Sequence, residues 1–278
     1  MIPVDFEYRR PETLQGAHSL FMQLQENGEN PMYGGGGTEI VTRARIGAIA
    51  PSAVIDLKGI DALQEMGVRD GRLVLGAGLT LKTIMERDPW PLLSRALSRI
   101  ADHTVRAHIT LGGNLASTIP YREAVLPFLL VDSTARLFGD GGDRWVPLGH
   151  VFPEGVLQLP PGDFLVALSV PEAAARVRGV AVKKTRLDWV DYPLMTIVAR
   201  PQRGRRVPAL AVSGLTPSPF RASQVEHALL SADPVELNLQ DVLPGAVVDD
   251  IHGSAAYREF VFRQTLVDVL ARLEGARP

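Results

Sequence analysis

Two clusters of small and hydrogen-bonding residues mark where this chain could do chemistry. The first, PMYGGGGTEI at residues 31–40, sets four consecutive glycines, Gly34, Gly35, Gly36 and Gly37, ahead of Thr38, Glu39 and Ile40. Bare backbone loses more entropy on folding than any other kind. In return it offers N–H groups that converge on an anion with no Cβ in the way. A phosphate-bearing ligand is one reading and a surface turn is the other; the segment alone is compatible with both. It is not a Walker loop, because no Gly-Lys-Ser/Thr follows.

The second cluster, TLGGNLASTIPYRE at residues 110–123, brings together the Thr110 hydroxyl, the Gly112–Gly113 pair and the Asn114 amide. Alone it reads as an Asn-Gly turn region followed by a helix-opening Glu123. Two such clusters far apart in sequence are what a diphosphate held from both sides requires. Glu123 then offers a carboxylate to ribose hydroxyls.

Other chemistries find little support. LVLGAGLTLKTI, residues 73–84, has Gly76 and Gly78 after a strand, but Leu81 stands where a dinucleotide-binding turn needs its third glycine. A strand-to-helix turn capped by Thr80 explains it more simply. The six histidines show no metal-ligand spacing, and no nucleophile elbow or Ser-His-Asp set is evident. No catalytic residue and no metal ligand is assigned. With no cysteine in the chain, disulfides, thiolate zinc sites, cysteine nucleophiles and iron–sulfur ligation by cysteine are all excluded.

The elements that must position the two clusters can be read from patterning. FEYRRPETLQGAHSLFMQLQENGE predicts a short strand and then a helix opened near Pro11, and EIVTRARIG a helix or turn. AVIDL is a compact strand. ALQEMGVRDGRLVLGAG predicts a hairpin turning at Asp70-Gly71. LTLKTIMERDPWPLLSRALSRIA is helical in two pieces broken around Pro89 and Pro91. GDGGDRWVPLGHVF has the form of an exposed hairpin, and QLPPGDFLVALSVP gives a loop and a strand ending at Pro171. Beyond it come several strands and then helices. In the last helix, Tyr257, Phe260, Val261, Leu266, Val269, Leu270 and Leu273 are expected to form the apolar face. A domain boundary is expected near 171–178.

The 278 residues are 46% hydrophobic and 22% charged, with a formal net charge of -2, as expected of a soluble globular protein. No global basic field invites nucleic acid or an anionic membrane. Lys183-Lys184 and Arg203/Arg205/Arg206 read as solvated surface. The start of the chain lacks an apolar signal region, no apolar run is long enough to span a bilayer, and a cytoplasmic location is expected.

In order along the chain, YGGGGTEI, GAGLTLKTI, TLGGNLASTIPYREAVLPFLLVDS, DFLVALSVP and KKTRLDWVDYPLMTIVA resemble the FAD-binding (medium) subunit of molybdenum hydroxylases, the xanthine dehydrogenase and carbon monoxide dehydrogenase group. TLGGNLA is the most specific part. The resemblance implies an α+β fold, with a two-part FAD-binding region of the p-cresol methylhydroxylase type and a small C-terminal domain of antiparallel sheet plus helices. The implied division is 1–172, with subdomains split near 57, and 173–278.

It also implies a non-covalent FAD. Tyr33 to Ile40 would form the first flavin loop, and Thr110, Leu111, Gly112, Gly113 and Asn114 the second, with Gly34 as the glycine beyond the family's usual number. Glu123 would take the ribose place, where the family often has aspartate. Leu165, Lys184 (or its neighbour Lys183) and Asp191 would lie near the flavin ring. Molybdopterin and the 2Fe–2S clusters would reside on large and small partner subunits, with NAD+ or another acceptor receiving the electrons. Two other readings stand beside this one: a stand-alone flavin oxidoreductase of the same superfold, and a flavin-free assembly subunit.

Overall fold

A computed structural model describes residues 4–187 and 191–275; Asp188, Trp189 and Val190, inside one of the resemblance segments, lie outside the described residues. Three sheets organise the chain. The first holds β1 (Glu7–Arg9), β2 (Pro31–Gly34) and β3 (Ala53–Asp56) in the order β1-β3-β2. All pairings are parallel, with Glu7 and Pro31 both opposite Ala53 and Gly34 opposite Asp56. Parallel neighbours need crossover connections, and the helices Leu14–Glu26 and Thr38–Arg45 supply them. Thr13 opens the former, its hydroxyl accepting from Gly16 N at 3.0 Å.

The second sheet is antiparallel, with β4 (Met66–Arg69), β5 (Arg72–Gly76), β6 (Thr134–Phe138), β7 (Arg144–Pro147) and β8 (Phe164–Pro171) in the order β4-β5-β8-β6-β7. The expected hairpin turn is present: Asp70 and Gly71 both take positive φ, 50° and 72°, the conformation that a two-residue turn between right-twisted strands demands. Pro91 opens a second helix, Pro91–Leu97, after Leu81–Arg87 ends, and Thr80 caps the first of these two.

The third sheet, β9 (Val180–Thr185), β10 (Pro193–Arg200), β11 (Ala209–Ser213) and β12 (Phe220–Arg221), is antiparallel in the order β12-β11-β10-β9. The C-terminal helix Ala255–Gly275 packs on it through Phe262, Leu266, Val269 and Leu273. The expected apolar face is therefore partly wrong, since Tyr257 and Phe260 are half-exposed and Phe262 is buried. The buried positions follow one stripe through 258, 262, 265–266, 269 and 273. Arg258 stands inside that stripe, and its charge hides the stripe's register from a reading based on hydrophobicity. Among the described residues no helix is long and apolar enough to cross a membrane.

Candidate functional site

The glycine run leaves the carboxyl end of β2 and turns directly into the helix Thr38–Arg45. There it meets the second cluster. A Cβ on Gly36 would lie 1.6 Å from the His108 carbonyl oxygen, and one on Gly35 would lie 2.6 Å from Thr110 Oγ1. No side chain fits such an approach, so the glycines are what allow two distant segments to touch through their backbones. The second cluster is the first turn of a helix, Leu111–Ala116, rather than a turn region. Thr110 caps it, accepting from Gly113 N at 3.1 Å. Leu111 N and Gly112 N donate backwards to Leu79 O and Ala77 O at 2.9 and 2.8 Å. A Cβ on Gly112 would stand 2.8 Å from that of Ala77. The GAGL segment is thus the seat of the second cluster, a turn leaving the end of the antiparallel strand β5, and no dinucleotide-binding βαβ unit.

The two clusters differ in what they leave free. In the second, the amides of Leu111, Gly112, Gly113 and Asn114 all donate within the protein. In the first, the amides of Gly36, Gly37, Thr38, Glu39 and Ile40 have no acceptor among the described residues, and no side chain caps the helix they begin. These free N–H groups carry the positive end of the helix dipole.

Both clusters wall a groove of about 530 Å³, within the size range of small-molecule sites. From the first cluster, Tyr33 and Gly35 through Ile40 line it; from the second, Thr110, Gly113 and Asn114 do. Gly34 is held in β2 against Val54, off the groove. Leu111 is fully buried in the core. The Tyr33 ring stacks on Phe21 and leans on Phe164, with centroids 4.7 and 4.8 Å away, and its hydroxyl donates to Gly162 O at 2.8 Å. Burial, with Asp163 adding, pushes that phenol well above its ordinary value. Glu39 accepts from Thr118 N and Oγ1 at 3.3 and 3.0 Å, beside Arg43 at 3.6 Å.

The remaining expected residues are placed elsewhere. Glu123 is 3% exposed, and its carboxylate faces Lys183 Nζ at 3.3 Å. Burial raises its carboxyl above the usual range while Lys183 pulls it down. Lys183 also donates to Arg99 O at 2.7 Å, so it is a buried partner and not the solvated surface residue expected. Lys184, next along the strand, faces the opposite way, 3.6 Å from Asp268 of the C-terminal helix. Leu165 is buried in β8. Asp191 accepts from Leu187 N and from Tyr192 N, at 3.3 and 2.7 Å. The structure does not bring these four expected residues, Glu123, Leu165, Lys184 and Asp191, to the groove lining.

It brings others that the sequence reading missed. Tyr192, half-exposed, closes one edge of the groove, its ring 5.5 Å from Tyr121 and 5.7 Å from His252. Arg43 and Thr118 also line it. Arg43 had a signal, four residues after Glu39 on one helix; Tyr192 had none. Asn114 reaches Ala124 N with its Oδ1 at 3.2 Å, fastening the groove to the segment that carries Glu123. Among the described residues no group of three His, Cys, Asp or Glu could hold a metal ion.

Comparison with known proteins gives this geometry a context. Residues 4–173 match the family model described as FAD binding domain in molybdopterin dehydrogenase. The chain is 26% identical to the 6-hydroxypseudooxynicotine dehydrogenase complex subunit alpha of Paenarthrobacter nicotinovorans, covering 100% of this chain and 98% of that protein. It is 25% identical to the carbon monoxide dehydrogenase medium chain of Hydrogenophaga pseudoflava, covering 93% of each. The fold matches a chain of a solved carbon monoxide dehydrogenase from Hydrogenophaga pseudoflava with a TM-score of 0.83 at 23% identity, covering 98% of both chains.

Proposed function

The chain belongs to the family of FAD binding domains in molybdopterin dehydrogenases, and from that membership we propose that it is the flavin-holding electron-transfer subunit of a molybdenum hydroxylase complex. The observation that carries the reading is the contact of the two glycine clusters, where a Cβ at Gly36 would overlap the His108 carbonyl. That contact faces a groove edged by five free amides. Such an edge suits an anion, and a dinucleotide diphosphate is the anion that the family implies.

In this assignment Gly36, Gly37, Thr38, Glu39 and Ile40 bind the diphosphate through their N–H groups. Thr110, Gly113 and Asn114 form the opposing wall. Tyr33 anchors the loop from below through Gly162 O. Glu39, held by Thr118 and Arg43, closes one end. Tyr192 closes the other edge and is assigned as a ring-side residue, with Asp191 behind it accepting from its backbone N–H. Leu165 and Lys184 join that set only if the chain rearranges, since one is in the core and the other turns to Asp268. When bound, the flavin supplies the redox centre that connects 2Fe–2S clusters of a small partner subunit, fed by a large molybdopterin subunit, to NAD+ or another acceptor. Relatives named as a complex subunit and as a medium chain support partners of this kind. No residue of this chain is asked to act as acid or base on the organic substrate.

The test is direct. Purified chain reconstituted with FAD should hold one flavin per copy, released intact by acid. A flavin spectrum absent after reconstitution removes the reading. Affinity purification from the native cell should also recover molybdenum, iron and two further chains. Flavin without them would favour the stand-alone oxidoreductase.

A further inference from the structure

The peptide between Gly35 and Gly36 has an unusual property for a ligand-binding loop. Flanked by two glycines, it has no Cβ of its own to bar rotation through half a turn. One orientation presents the Gly36 N–H to the groove, and the other presents the Gly35 carbonyl. The first attracts an anion and the second repels it. Something must choose between them.

Lys58 occupies the place where that choice is made. Its Nζ donates to Gly35 O at 2.9 Å, from the short helical turn that follows β3. No cis peptide occurs among the described residues, and in a trans peptide the C=O and the next N–H point in opposite directions. Gly35 and Gly36 line the groove and Lys58 does not. A carbonyl drawn back to Lys58 therefore turns the Gly36 N–H away from Lys58, and that amide has no acceptor in the chain.

Lys58 is itself fixed. Asp56 Oδ2 lies 3.0 Å from its Nζ, and Asp56 Oδ1 accepts from its backbone N–H at 2.9 Å. The Asp56 side chain is 4% exposed and also accepts from the Tyr8 hydroxyl of β1. These bonds, with burial opposing them, hold its carboxyl below the ordinary range, so it stays ionised opposite the ammonium. Gly34 is paired in register with Asp56 across β2 and β3. The loop and its anchor thus start from adjacent strand ends of one sheet.

We propose that Lys58 is a positioning residue for the phosphate loop: by holding the Gly35 carbonyl it keeps the Gly36 N–H turned toward a bound diphosphate. The role rests on the flavin reading above and concerns the diphosphate portion alone. It predicts a selective defect. Lys58→Met should weaken FAD and ADP by similar factors, about tenfold, which is one charged hydrogen bond's worth of affinity. Adenosine, with no phosphate, should bind Lys58→Met as it binds the unaltered protein. Lys58→Arg, which restores a cationic donor, should recover most of the loss.

The experiment is titration of FAD, ADP and adenosine into the full-length chain and both variants, with circular dichroism and thermal melting on each sample. Equal affinities of Lys58→Met and the parent for FAD and ADP overturn the proposal. So does an adenosine defect as large as the ADP defect, which would signal general loosening. A parent chain that binds neither FAD nor ADP defeats the flavin reading itself, an outcome that the variants do not mimic. If Lys58→Met melts early, the Lys58→Arg rescue and the FAD-to-adenosine ratio still decide.

Discussion

At Gly36 a side chain has nowhere to go, because the atom it would strike is backbone and cannot swing aside. Gly36→Val should abolish flavin retention and cost about 1–3 kcal/mol of stability, the usual range for overpacking. Gly149→Ala, where nothing lies within 4 Å of an added Cβ, should leave both unchanged. Spectra of the purified variants and thermal melts read the two effects, and a yellow Gly36→Val protein would show the loop assignment to be wrong. Charge poses a different question at Glu123. Its buried carboxyl titrates above its ordinary value, chiefly through desolvation. Between that value and the raised one, the folded chain holds a proton that the unfolded chain has released. The site's contribution to stability therefore falls as pH climbs through that window, and the penalty is absent below it. Melting temperatures from pH 4 to 8 should diverge between the parent and Glu123→Gln, with the variant gaining on the parent as pH rises. Removing only the partner is harsher. Lys183→Met leaves a buried carboxylate alone and should cost about 3–5 kcal/mol, much of it recovered in the double variant.

Elements became legible where their causes are local. The hairpin at Asp70-Gly71, the Thr80 cap and the start at Pro91 each depend on a few consecutive residues, and each is present. The second glycine cluster was harder. Two glycines weaken a helix by roughly 1 kcal/mol each, yet Thr110 and the bonds to Ala77 and Leu79 hold it helical, and those partners are distant in sequence. Lys183 and Tyr192 escaped for the same reason: strand alternation tells that Lys183 and Lys184 face opposite ways, but not which face is covered. In the C-terminal helix the hidden cause is Arg258. Fully buried, it donates to Leu194 O, to Gly214 O at 2.9 Å and to Gly253 O at 3.2 Å, and pairs with Asp250 at 2.7 Å. It ties the helix start to β10 and to the turn after β11. Arg258→Met strips these carbonyls of their donor while keeping the volume, and should cost about 3 kcal/mol in urea unfolding. An unchanged midpoint would mean that apolar packing alone docks the helix. Phe260→Ala, on the exposed side, should stay within about 0.5 kcal/mol of the parent.

Across the whole molecule, the division expected at 172–173 is crossed by more than a linker. Lys183 and Arg99 exchange hydrogen bonds, Nζ to Arg99 O at 2.7 Å and the guanidinium to Lys183 O at 2.9 Å. Arg95 reaches Gly179 O at 2.8 Å, and Arg221 reaches Leu129 O at 3.2 Å. Beneath them the third sheet buries both faces. Ile197, Leu210 and Val212 turn to the C-terminal helix, while Val198, Ala209 and Ala211 join the core of the preceding region. A sheet with two buried faces cannot be removed without exposing apolar surface on what remains. Residues 1–178 made alone should therefore lack a cooperative thermal transition and retain no flavin, although the family match ends at residue 173. The whole chain should melt in one calorimetric step that FAD shifts upward, because a ligand bound to the folded form stabilises everything coupled to its site. A fragment with a sharp transition and a flavin spectrum would make the two regions independent. The Glu123–Lys183 pair would then be a surface contact between finished domains, and Lys183→Met should in that case leave the melting of residues 1–178 within the whole chain unchanged.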